Sequence, residues 1–448
     1  MPLRRMKRRD LLCRTMSDIL FSDMNPILST ESNSRCDGAP RLETANRSQI
    51  ELTPTDLESL LPPGHAARLV WRFVEGLDLS MFYAKIRARE GRAGRSATDP
   101  KILIALWLYA TIDGVGSARE LDRLCYAHDA YRWLRGGVSM NYHSLSDFRV
   151  GYREALDELL TQSITVLLDK QVVTLNRIAQ DGMKVRADAG VRSFRRGERL
   201  ESCRQMAKQQ VNRTFAQMDG DLSARRAAAQ QRAAREQLAR VEEALAQLPS
   251  IAEAKKRNGS KGEAKASTTD PDARVMKMPD GGFRPAYNIQ FATDVEGQGI
   301  VGVAVTNGGE QAELVPMVEQ VEDRTGKKPG AVFADGGFVS THGIVSLAKG
   351  GVLLYAPVAE GKHAPGSGQG PMPPAVAEWR ARMATDDAKA VYRVRAATAE
   401  RVNADTRVHR GLHAVPVRGL TKVRAWALWA ALAFNVLRVM EIVPHQMM

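Results

Sequence analysis

Apolar residues recur three and four positions apart over residues 65–77, 100–112 and 117–133, the period of a helix with a buried stripe. Residues 53–168 therefore read as helical throughout. Ser117 with Glu120, and Ser144 with Asp147, carry the pattern in which a hydroxyl and an acid three residues on satisfy the free amides of a helix start. Asp113-Gly114 marks a turn before the first of these helices, and Gly136-Gly137 joins the two. Helices so joined fit a helix-turn-helix-like unit, in which the helix opening at Ser144 presents Arg149 and Arg153 to a DNA groove. A plain helical bundle with solvated arginines fits the same pattern.

After Leu175 the period changes to two. Asp181, Met183, Val185 and Ala187 alternate with Gly182, Lys184, Arg186 and Asp188, which predicts a strand. Residues 195–250 are rich in Ala, Gln, Arg and Glu, with Leu238, Val241, Leu245 and Leu248 at coiled-coil spacing and a break at Asp219-Gly220. They predict two antiparallel helices projecting from the fold, followed by a mobile linker over residues 254–269, which lack apolar anchors. Residues 287–293 and 300–306 predict a β-hairpin, and residues 310–325 a helix. The run Ala331-Val332-Phe333-Ala334 is continuously apolar, as a strand covered on both faces must be, and ends in Asp335-Gly336-Gly337. A helix over 344–349, a strand over 352–357, a Gly/Pro-rich loop over 360–374, a helix over 386–407 and an apolar helix over 423–439 follow. The order β, β, β, α, β, α, β predicts an α/β fold, a mixed sheet flanked by helices and preceded by an all-α region.

Composition narrows the class of partner. The 448 residues are 44% hydrophobic and 26% charged, which excludes wholesale disorder and a polytopic membrane protein. Lys plus Arg outnumber Asp plus Glu by 64 to 51, a net charge of +13 that favours a polyanion such as DNA. Cys13, Cys36, Cys125 and Cys203 stand far apart without ligand spacing, so neither a zinc module nor a disulfide framework is expected, and a reducing cytoplasm fits. The apolar stretches 102–112 and 425–434 are each shorter than the roughly 20 residues of a membrane span, so both are expected as core helices. Residues 1–46, with Arg4, Arg5, Lys7, Arg8 and Arg9 at their start, read as a disordered basic arm, the alternatives being an amphipathic targeting peptide or a start codon placed too far upstream.

The chemistry centres on Asp181 in the first strand, Asp335 ending the buried strand and Glu400 within a late helix. In open α/β sheets ligands bind beyond the carboxyl ends of strands, where Asp335 and its two glycines are expected. Carboxylates brought together from separate elements repel unless a cation neutralises them, and hard oxygen ligands select Mg²⁺ or Mn²⁺. Two such ions about 3.5–4 Å apart clamp the attacking and leaving oxygens of an in-line displacement at phosphorus. Arg393, Asn403 and Arg407 share the helix face of Glu400, placing cations where phosphate would lie.

These segments resemble the DDE transposases of bacterial insertion sequences. Ile178-Ala179-Gln180-Asp181-Gly182 is similar to the segment bearing that family's first Asp, and Val332-Phe333-Ala334-Asp335-Gly336-Gly337-Phe338 to that bearing the second. Tyr392, Arg395, Glu400 and Arg407 resemble its Tyr, Arg, Glu, Lys signature, with four residues between Arg395 and Glu400 where the commonest form has three, and Arg for Lys at 407. Residues 61–65, 142–149 and 282–290 resemble members with a helical N-terminal domain.

The resemblance spans residues 50–440 and implies a ribonuclease-H-like catalytic domain over 171–440, with a helical DNA-binding domain over 50–170. It implies Asp181, Asp335 and Glu400 as catalytic and metal-holding residues, with two Mg²⁺ or Mn²⁺ ions. Double-stranded DNA, both terminal inverted repeats and target, is the implied partner, bound by a homo-oligomer associated with the nucleoid and no membrane. Arg149, Arg153, Lys184, Arg284, Tyr392, Arg393, Arg395 and Arg407 are the expected DNA contacts. A metal-dependent nuclease and a noncatalytic DNA-binding descendant remain open as alternatives. Paired carboxylates also allow a glycosidase, which the positive charge disfavours. His65, His128, His143 and His342 have no Ser or Cys partner pattern, and Gly114-Val115-Gly116-Ser117 lacks the ending of a phosphate loop, so neither a hydrolase triad nor an ATP site is expected.

Overall fold

The computed structural model describes residues 48, 56–88, 91, 96–216, 224–257, 259–260, 262–359, 365–366 and 371–442. The basic arm and the predicted break at Asp219-Gly220 lie outside the described residues.

After a short 3₁₀ turn at Glu58–Leu60 come seven α-helices: α1 (Ala66–Glu75), α2 (Ser80–Ala84), α3 (Pro100–Ile112), α4 (Ala118–Ala127), α5 (Asp129–Arg135), α6 (Tyr142–Gly151) and α7 (Arg153–Asp169). Their starts are capped as the side chains dictate. Ser117 Oγ accepts from the Glu120 amide at the head of α4, and the ring nitrogens of His65 and His128 accept from the amides of Ala67 and Ala130. The head of α6 differs from expectation. Asn141, not Ser144, is its cap, with Oδ1 accepting from the Ser144 amide at 3.0 Å, so the helix begins a turn earlier.

On this helix Arg149 points inward. Only 6% exposed, its guanidinium is sandwiched between the rings of Trp107 and Trp426, 4.4 and 4.0 Å from their centroids, and donates to the Gly116 carbonyl. Burial pulls its pKa down to about 9. The expectation that Arg149 faces a DNA groove is therefore corrected: its charge clamps α3 and α6 to the last helix. Arg153, at the head of α7, is half-exposed and pairs with Glu154 at 3.1 Å.

The strands are β1 (Arg177–Arg186), β2 (Phe194–Arg195), β3 (Ala266–Ser267), β4 (Arg274–Lys277), β5 (Phe283–Asp294), β6 (Ile300–Thr306), β7 (Ala331–Ala334) and β8 (Leu353–Tyr355). The main sheet is mixed, in the order β4-β5-β1-β7-β8, with β6 pairing the same edge of β5 that β4 pairs further along. β5 runs antiparallel to β1, β4 and β6, while β1, β7 and β8 run parallel. Between β2 and β3 project the long helices α8 (Gly197–Ala216) and α9 (Ala224–Arg257), packed on each other. Residues 254–269 are not a featureless linker: α9 runs to Arg257, and Ala266–Ser267 pairs β2 as strand β3.

The remaining helices are α10 (Leu314–Thr325), α11 (Thr341–Lys349), α12 (Pro374–Ala384), α13 (Asp386–Arg395), α14 (Arg401–Val408) and α15 (Leu420–Ile442). Leu420–Glu441 is long and apolar enough to cross a membrane, against the expectation of a short stretch, yet 78% of its most apolar window is buried inside the fold. It is the shared core helix, packing on α3, α6, α7 and β6, so the helical region and the sheet bury their apolar faces in one core.

The head of α15 is fixed by two acids. Asp270, fully buried, accepts from the Tyr287 hydroxyl at 2.7 Å and the Gly419 amide at 3.1 Å, and Asp272 accepts from the Leu420 amide at 2.9 Å. Burial is the largest influence on the Asp270 carboxyl and lifts its pKa above 3.8, opposed by those hydrogen bonds. A carboxyl held high in the folded chain binds its proton before the unfolded chain does, so this group adds stability as pH falls and withdraws it as pH rises through the raised value. The unfolding free energy of the wild type minus that of Asp270→Asn is thus expected to decline as pH rises from about 3.8 and then level off. Urea titrations across that range check this, and a difference that climbs with pH contradicts it.

Candidate active site

β1 and β7 bring the two aspartates together. Their parallel register ends at Gln180 opposite Ala334, so Asp181 and Asp335 occupy the next position on adjacent strands, which lie about 4.8 Å apart. Alternation puts both on the face shared by Ala179, Ala331 and Phe333, and Ala399 packs on that face. Glu400 follows Ala399 directly. The negative charges of Asp335 and Glu400 both act to raise the pKa of Asp181. Burial is the larger cause of that rise, opposed by Arg395 and by the Gly182 amide.

The late helix carries a feature that accounts for its spacing. Between α13 and α14, Ala396–Glu400 forms a π-helical turn. In a regular α-helix residues five apart diverge, whereas a π turn bonds i to i+5 and brings them to one face. The extra residue between Arg395 and Glu400 is absorbed in this turn, and both side chains act on Asp181. Arg395 Nη2 lies 3.0 Å from Asp181 Oδ1, and Asn403 Nδ2 donates to Asp181 Oδ2 at 3.0 Å.

Asp181 is thus a half-buried anion between a guanidinium and an amide, while Asp335 and Glu400 are exposed. Asp335 begins a short 3₁₀ turn and accepts from the Gly336 amide. Tyr392 donates to the Ala334 carbonyl at 3.2 Å, beside the second aspartate, and burial raises the pKa of its phenol. Among the described residues no three His, Cys, Asp or Glu side chains stand close enough to hold a metal ion together as they lie. The donor set nonetheless fits a hard divalent cation: its members are carboxylates, one already faces a cationic group, and the Oδ1 of Asn403 is buried without a partner beside it.

The other expected DNA contacts are dispersed. Arg393 is exposed and Arg407 half-exposed on the late helix, Lys184 lies on β1, and Arg284 is tied to Asp280 at 2.7 Å. Two further polar residues, Asn288 and Glu310, carry no local signal in the sequence. Asn288, paired across β1 with Lys184, donates to Glu310 Oε1 at 2.9 Å. A Cβ at Gly337 would lie 2.9 Å from Glu310 Oε2, and one at Gly182 only 2.7 Å from Asn288 Oδ1. Both glycines of the aspartate segments make room for this pair, and only three-dimensional proximity reveals it.

Residues 55–150 match the family described as Transposase domain (DUF772), and residues 372–440 match that described as Transposase DDE domain. No curated protein and no solved structure matches the chain. The two matches indicate a transposase, an enzyme class that acts on DNA. More particularly, a helical transposase region joined to a DDE domain indicates a DDE transposase of an insertion sequence. The second match includes Glu400, and neither reaches Asp181 or Asp335.

Proposed function

We propose that this transposase cuts the ends of its element to free a 3′-hydroxyl and joins that hydroxyl to target DNA, with Asp181, Asp335 and Glu400 as its catalytic carboxylates. The observation that carries the reading is the register of β1 and β7, which seats two aspartates side by side on the face where Glu400 arrives. The strand order, three antiparallel neighbours followed by two parallel ones, supports a ribonuclease-H-like catalytic domain. The helices from α1 to α7 would then serve as the DNA-binding domain.

The three carboxylates would hold a pair of Mg²⁺ or Mn²⁺ ions, which when bound activate the attacking oxygen and neutralise the leaving one. The chain's own residues orient and shield. Asn403 and Arg395 fix both oxygens of Asp181, the hydroxyl of Tyr392 steadies the end of β7, and Arg393 and Arg407 present positive charge to phosphate. Two element ends must be held at once, which favours a homo-oligomer on DNA.

Duplexes carrying the inverted repeats that flank the coding region should be nicked at the repeat boundary with Mg²⁺ or Mn²⁺ present, and left intact in EDTA. A pre-cut end should join to a second duplex. Nicking without joining would instead indicate a nuclease, and unchanged nicking in EDTA would refute the metal reading.

A further inference from the structure

At the end of the sheet where β4 pairs β5 lies an open cleft of about 960 Å³, lined by Lys184 and Asn288, a cross-strand pair of β1 and β5, and by Val275, Lys277 and Phe283. Its walls are the foot of α9, strand β4, the start of β5, and the turn after β6 that ends at Glu310. Six basic side chains line it against two acidic ones, Glu263 and Glu310. Glu263 is neutralised by Arg196 at 2.8 Å, and Arg274 and Lys255 are engaged by carbonyl oxygens. Lys184, Lys265 and Lys277 have no partner among the described residues, so three cations face the cleft uncompensated.

A further observation marks this as a site, whose wall includes the buried Asn288. Phe283 lines the same wall with 65% of its surface open, beside the exposed Val275. A large apolar ring costs free energy in water unless something covers it. Cations spaced around a free aromatic face are the chemistry that holds a nucleic-acid strand, phosphates on the ammonium groups and a base on the ring. The volume sits at the top of the ~300–1,000 Å³ range of small-molecule clefts, room for a few nucleotides of one strand. Glu310, one of its lining residues, lies close to Gly337, two residues after Asp335.

We propose that this cleft binds a short unpaired stretch of one DNA strand, with Lys184, Lys265 and Lys277 on its phosphates and Phe283 stacked on a base. The inference rests on the reading that the chain acts on DNA, and adds that it holds an unpaired strand in this cleft. The test uses the full chain in EDTA, with fluorescence anisotropy of a labelled thymidine hexanucleotide and of a duplex. Phe283→Ala should lower the ratio of hexanucleotide to duplex affinity at least tenfold. Replacing Lys184, Lys265 and Lys277 together by Gln should flatten the dependence of log affinity for the hexanucleotide on log salt by about 2, at ~0.7 for each phosphate no longer neutralised.

A ratio unmoved by Phe283→Ala, or a salt slope unmoved by the triple variant, overturns the proposal. Should the wild type cut element ends while showing either of those results, only this inference fails. A wild type that binds neither probe and cuts nothing removes the transposition reading as well.

Discussion

Asp335→Asn is expected to bind element ends as tightly as the wild type, or more tightly, and to cut them at least ~10²–10³-fold more slowly, the scale set by removing one group that stabilises transition-state charge. The separation of binding from cutting follows from where the residue sits. Asp335 is exposed, and its Oδ1 accepts from the Gly336 amide to begin a 3₁₀ turn, a role that the Asn side chain fills equally well. The fold therefore loses nothing, the site loses one negative charge, and repulsion between protein and phosphate falls. Asp181→Asn and Glu400→Gln are expected to behave alike in cleavage. Because the three act as a unit, a double variant should be scarcely slower than either single one. Gel-shift titrations alongside cleavage time courses read both quantities, and wild-type cleavage by all three single variants would end the account.

Trp107→Ala is expected to cost ~3–5 kcal/mol of stability, read as a lowered urea midpoint at unchanged slope. Its ring is 1% exposed, its indole nitrogen donates to the Leu145 carbonyl at 3.0 Å, and one face supports the Arg149 guanidinium. Truncation leaves a cavity and a buried charge with one aromatic neighbour in place of two. Since α3 and the last helix meet at this point, the loss should reach the whole core rather than the helical region alone. Arg149→Met supplies the complementary check. If the side chain is a clamp, DNA affinity measured well below the melting temperature stays within about twofold, whereas loss of a groove contact would cost ~1–3 kcal/mol of binding.

What could be read from the sequence was whatever a local period records. Ala331–Ala334 announces a strand buried on both faces because no polar residue interrupts it and an aspartate stops it. The hairpin of β5 and β6 and the buried Pro100–Ile112 follow from the same logic. Strands of two residues, such as Phe194–Arg195 and Ala266–Ser267, are too short to have a period, and they exist because the feet of α8 and α9 draw them together. Helix α12 has no clear signal in the sequence, since it begins inside a Gly/Pro-rich stretch with proline as its first residue. At Asn141 and Ser144 two capping patterns compete, and the tertiary packing that buries Arg149 selects the earlier.

The candidate site divides in the same way. Asp181, Asp335 and Glu400 each stand out by position within an element, yet their common face depends on a strand register and a π turn. The one-residue departure between Arg395 and Glu400 hinted at that turn without revealing that it restores the alignment. Glu310 had no local signal at all. It meets Gly337 only because the turn after β6 folds back toward the end of β7, a relation visible in three dimensions alone.

The most direct measurement is anomalous scattering from crystals of the transposase bound to an element end and soaked in Mn²⁺. A manganese peak at coordination distance from Asp181 and Asp335, with Glu400 facing it and Arg395 withdrawn from the Asp181 oxygen it now holds, is the result expected. Manganese bound elsewhere on the chain, with Arg395 still on Asp181 and the cleavable phosphate away from all three carboxylates, would contradict it.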